Sequence, residues 1–60
     1  MLDEPALIRD WALEHPNQLR SVSAHKHFTR WVRVRYADGT YTIPKDVFWK
    51  TASVELGKVL

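Results

Sequence analysis

The sequence predicts a small α+β domain spanning residues 1–60. Its order is a helix, a two- or three-stranded antiparallel sheet with a hairpin turn at Asp38-Gly39, and a second helix. Three observations lead there. Residues 7–15 space their apolar side chains as a helix does. Residues 27–43 alternate apolar and polar side chains on either side of Asp-Gly, a strong short-range hairpin signal. Pro16 and Pro44 punctuate the chain where the predicted elements change.

The first helix is "DEPALIRDWALEH". Asp3 is its expected N-cap, and Pro5 suits the first turn, where a missing N–H costs nothing. Leu7, Ile8, Trp11, Ala12 and His15 form one stripe, with Arg9, Asp10 and Glu14 outside it. Pro16 ends the helix, because the residue before a proline is pushed out of the α region. "HPNQ" then reads as a turn. "LRSVSAHK" reads ambiguously, as a first strand with Val22 and Ala24 facing inward.

A two-residue loop at Asp38-Gly39 pairs Tyr36 with Tyr41 and Val34 with Ile43. Strand parity then gathers Phe28, Val32, Val34, Tyr36, Tyr41 and Ile43 on one face. The other face holds Thr29, Trp31, Arg33, Arg35, Thr40 and Thr42, with His25 and His27 if the strand extends back. Arg30 breaks the pattern, at the core's edge or at a bulge. Pro44 ends the second strand. "KDVFWKTA" begins the last helix, with Asp46 as N-cap and Val47, Phe48, Ala52 and Leu56 toward the sheet. Gly57 ends that helix and Val59 and Leu60 close the core, or the tail forms a final strand.

Composition narrows the class. Sixty residues, 45% of them hydrophobic and 12% aromatic, suit one globular domain of marginal stability. Without cysteine, disulfides and thiolate metal sites drop out. The acidic N-terminus lacks a secretory pattern, and no apolar run reaches a membrane span, so the expected location is cytoplasmic. The chain starts at Met and reads as a complete small open reading frame. Its charge is segregated: residues 1–18 carry a net −3, residues 19–50 a net +5, and residues 51–60 cancel. Such a middle segment favours an acidic partner.

The candidate binding residues are Trp31, Arg33 and Arg35 on the open sheet face, with His25 and His27 beside them, and Arg30, Lys26 and Lys45 for backbone phosphates. Arginine forks match phosphates and guanine edges, and an indole stacks on a base. The same residue types serve protein interfaces. In a strand, His25 and His27 would point the same way and share a metal, though two further ligands are wanting. No nucleophile triad or glycine-rich phosphate loop is evident, so no enzyme and no cofactor is expected.

Three short stretches resemble known families. "SAHKHF" with a later "TYTIP" looks like the small HicA-type toxins. They have a double-stranded-RNA-binding-like fold, and the resemblance would make His25 catalytic in a ribonuclease. Here Ser23-Ala24-His25 stands where that family has Gly-Ser-His. "DGTYTIPKDV" is similar to the Gly-x-x-x-Ile-Pro-Lys segment of AbrB-like swapped-hairpin DNA binders, and the three-stranded pattern resembles phage integrase arm-type domains. The leading expectation is a small non-enzymatic nucleic-acid-binding regulator, dimeric to offset its small core, with DNA ahead of RNA. The alternative is a phage- or plasmid-type inhibitor or adaptor that meets an acidic protein surface through the same face, or binds through the acidic first helix.

Overall fold

The computed structural model describes residues 3–59. Four helices follow one another: α1 (Glu4–Glu14), α2 (Pro16–Leu19), α3 (Ala24–Arg35) and α4 (Lys45–Val59). Among the described residues there is no strand, so the predicted α+β fold with its antiparallel sheet is incorrect and the architecture is all-helical.

α1 forms as its periodicity predicts. Leu7, Ile8, Trp11 and Ala12 are buried and His15 is half-buried. Asp3 occupies the N-cap position, but its side chain makes no capping bond; its carbonyl accepts the Leu7 N–H at 3.0 Å. His15, held before Pro16 at φ −132° and ψ 60°, leaves the helical region as predicted. Pro16 then starts α2 rather than a simple turn.

The largest departure is residues 24–35, expected as strand and found as α3. Ala24, Phe28 and Val32 recur every four residues, and all three are buried. Trp31 flanks them on the same side, half-buried. Strand parity would bury Val34 beside Val32, yet Val34 is 75% exposed. It would also bury Val22, which is 96% exposed in the turn before α3. Two spacings coexist in this stretch, and the helical one pairs backbone N–H and C=O groups within the segment, without a partner strand. Arg33 and Arg35 in the last turn also face the negative end of the helix dipole.

Asp38-Gly39 belongs to the exit from α3 and closes no hairpin. Ala37 takes the left-handed φ of 52°, and the Asp38 N–H bonds back to the Arg33 carbonyl at 3.1 Å. This is the six-to-one closure of a Schellman cap, with alanine where glycine is usual. Asp38 Oδ1 then accepts both the Thr40 N–H at 3.1 Å and the Thr40 hydroxyl at 2.7 Å, an Asx-type turn. Gly39 adopts no positive φ. The connection over residues 36–44 runs on to α4 with Ile43 buried.

In α4, Phe48, Ala52 and Glu55 are buried and Leu56 packs at the core's edge. The helix starts at Lys45, one residue before the expected Asp46 cap, and passes through Gly57 without stopping. Val47, expected to face the interior, is 42% exposed. The expectation that Val59 and Leu60 close the core falls outside the described side chains. The centre of the core is a cluster of three rings. Trp11 meets Phe28 edge-on at 5.6 Å and Phe48 edge-on at 6.0 Å, while Phe28 and Phe48 lie 5.4 Å apart. Each pair falls in the range of favourable aromatic geometry, so one ring from each long helix ties α1, α3 and α4 together.

Candidate functional site

The core-facing positions of α3 leave its opposite side to solvent. Lys26, Arg30 and Arg33 lie there at i, i+4 and i+7, which places them in one stripe. Arg30, anomalous on a strand, thereby finds its place. The stripe forms one wall of a concave surface of about 590 Å³. Lys45, at the start of α4, and Thr42, just before it, line the surface as well, while Val22 and Ser23 line it from the turn before α3. Its charged lining is entirely cationic: Lys26, Arg30, Arg33 and Lys45.

Two hydrogen bonds fix this wall against the 36–44 connection. The Arg33 Nε–H donates to the Tyr41 carbonyl at 2.8 Å, which orients the guanidinium and leaves its terminal nitrogens outside that bond. His25 Nε2 bonds the Ile43 carbonyl, and because a carbonyl only accepts, Nε2 carries a proton there. The His25 ring also meets Phe48 edge-on at 5.6 Å. A third bond, from the Tyr41 hydroxyl to Glu4 Oε2 at 2.7 Å, ties the same connection to α1. Burial, then the hydrogen bond to Glu4 and its negative charge, push the Tyr41 phenol well above its ordinary range.

Carboxylates near the stripe are few. The ion pairs among the described residues are Arg9–Asp10 and Glu55–Lys58, and neither involves a lining cation. Asp38 is the carboxylate whose charge senses Arg33. Its pKa is lowered, chiefly by the Thr40 side-chain hydrogen bond and then by the Thr40 backbone bond, with Arg33 a smaller contribution. The groove thus retains an excess of positive potential able to attract an anion.

The structure divides the residues that the sequence singles out. His25, Lys26, Arg30, Arg33 and Lys45 converge on the groove. Trp31 lies to the other side of α3, stacked on Phe28 at 6.2 Å and 27°, with the Arg35 guanidinium 5.4 Å over its ring. The expected open face joining Trp31, Arg33 and Arg35 therefore does not exist. His25 and His27, parallel on a strand, diverge on a helix because residues two apart do not share a face. That geometry removes a metal shared between them. Thr29 and Thr42 also line the groove; Thr29 Oγ1–H donates to the His25 carbonyl at 2.9 Å. The sequence places Thr29 and Thr42 on one face with Arg33, and all three do line the groove; Val22 and Ser23 join it unforeseen, and the helical i, i+4, i+7 count is the signal that finds the cationic stripe.

Compared with known proteins, the chain matches no family model, no curated protein and no solved structure. The HicA-type, AbrB-like and integrase arm-type resemblances each imply a sheet, and the helical architecture does not carry them.

Proposed function

We propose that this chain is a small non-enzymatic nucleic-acid-binding regulator that holds a phosphate backbone along α3. One observation supports the reading: Lys26, Arg30, Arg33 and Lys45 line a single concave surface with no carboxylate in its lining. The stripe from Lys26 to Arg33 rises about 10 Å along the helix axis. Its three cations stand in one row, which suits contacts to successive phosphates of one strand. Phosphate contacts are common to DNA and RNA, and DNA is the partner taken first. No described helix is long and apolar enough to cross a membrane.

The test is a fluorescence-anisotropy titration of labelled single- and double-stranded oligonucleotides across a salt series. Four neutralised phosphates give a slope of log affinity on log salt of about −3 to −4. Replacing Arg30 and Arg33 together by alanine should weaken binding by about 10-fold or more and flatten the slope by about 1.5 to 2. Absence of binding to DNA and RNA at low salt, or identical behaviour of the double variant, sinks the proposal. Retention of an acidic protein after nuclease treatment, with no oligonucleotide affinity, would move the reading to the adaptor alternative.

A further inference from the structure

We propose that a second concavity, on the other flank of α3, takes an unpaired nucleobase, so that the ligand is a single strand or an extruded nucleotide rather than an intact duplex. The inference rests on the nucleic-acid reading above and deepens it.

This concavity has a volume of about 400 Å³ and is lined by His15, Gln18, His27, Arg30, Trp31 and Val34. Its chemistry differs from that of the groove. Val34 and the indole of Trp31 offer apolar surface, and the two imidazoles add flat rings. The Gln18 amide provides both a donor and an acceptor. The one fixed charge is Arg30. An apolar wall with a few convergent polar groups suits a planar, uncharged ligand with a hydrogen-bonding edge, and a nucleobase is such a ligand.

The walls are held in place. His15 stacks on the buried Trp11 at 6.5 Å, and its backbone N–H caps α1 by bonding the Trp11 carbonyl at 2.8 Å. Trp31 packs on the core ring of Phe28 at 6.2 Å, with the Arg35 guanidinium 5.4 Å from its ring centroid. Two of the walls, His15 and Trp31, are thus anchored on core rings, which lowers the entropic cost of ordering them around a base.

Arg30 joins the two sites. It is the one residue that lines both concavities. A phosphate held on Arg30 as part of the α3 stripe places its own nucleotide at the mouth of the second concavity. In a duplex the base faces are stacked inside and cannot reach a recess beside the backbone; an unpaired base can. The pairing of a cationic track with an adjacent aromatic recess is the arrangement that single strands use.

The experiment compares three labelled ligands of equal phosphate number on the full chain: a 12-nucleotide single strand, the same strand built wholly of abasic sugar-phosphate units, and a duplex. The native strand should bind about 10-fold or more tightly than the abasic one, in line with the loss of base stacking. The Gln18→Ala/His27→Ala variant, which leaves Lys26, Arg30, Arg33 and Lys45 in place, should narrow the gap between native and abasic strands several-fold, with an unchanged circular dichroism spectrum. His27→Ala alone, the smaller change, keeps the comparison available if the double variant does not fold. Equal binding of native and abasic strands by the parent chain overturns the base site while leaving the phosphate reading intact. So does tighter binding of the duplex. Absence of binding to all three overturns both.

Discussion

Ala37 sits at φ 52°, where its Cβ crowds the neighbouring carbonyl, because the Schellman closure of α3 demands a left-handed residue there. Exchanging it for glycine removes the clash and adds backbone freedom to the unfolded chain. The first effect wins at a left-handed position, so Ala37→Gly should raise stability by up to about 1 kcal/mol. A higher urea midpoint at constant slope is the expected readout, and an unchanged or lower midpoint would contradict the left-handed cap. Tyr41 makes a second residue-level prediction. Its hydroxyl donates to Glu4 Oε2 at 2.7 Å, linking the 36–44 connection to α1. Because both groups are partly exposed, Tyr41→Phe should cost only about 1 kcal/mol. The folded-state pKa is raised above the ordinary 10.0. The neutral form is therefore favoured by folding, and its contribution is complete below pH 10 and declines as pH rises above that. Urea denaturation of wild type and variant at neutral and strongly alkaline pH should show the gap between them closing with pH. A gap that persists would show that the bond does not carry the effect.

At the scale of elements, α3 decides the fold. Val32 and Val34 would share a buried face in a strand, whereas in the helix Val32 is fully buried and Val34 is exposed. Val32→Ala should cost about 2 kcal/mol and Val34→Ala less than about 0.5 kcal/mol, both measured by chemical denaturation. Equal costs would favour a strand. The same comparison explains what could be read from the residues alone. α1 was legible because Leu7, Ile8, Trp11 and Ala12 have one period and Pro16 marks its end. α3 was not, because "FTRWVRVRY" satisfies a period of two and a period near four together. The alternation and Asp38-Gly39 point to a strand, and whether an Asp-Gly pair closes a hairpin depends on tertiary context. Arg30 was the residue that dissented: on a strand it needed a bulge, and on a helix it falls between Lys26 and Arg33. The candidate cations were legible as a charge excess in residues 19–50; their scaffold was not, since it depends on which period the core selects.

For the whole molecule, helices joined by short connections keep most contacts local in the chain. Such topologies fold in microseconds to milliseconds. Stopped-flow or temperature-jump circular dichroism should find the main refolding phase complete within milliseconds, and a main phase of seconds would indicate non-local strand pairing. The three tryptophans occupy three depths of this molecule. Trp11 is 0% exposed among aromatic neighbours, Trp31 is half-buried at the rim of the second concavity, and Trp49 is 39% exposed on α4. Indole emission shifts to longer wavelength as water reaches the ring. The unlabelled chain therefore carries its own reporters: Trp11 emission moves to the red when the core opens, and Trp31 emission responds to occupancy of the concavity beside it. Trp49, packed edge-on against Phe48 at 5.0 Å, also moves to the red on unfolding but lines neither concavity, so unfolding shifts all three indoles whereas ligand uptake acts chiefly on Trp31.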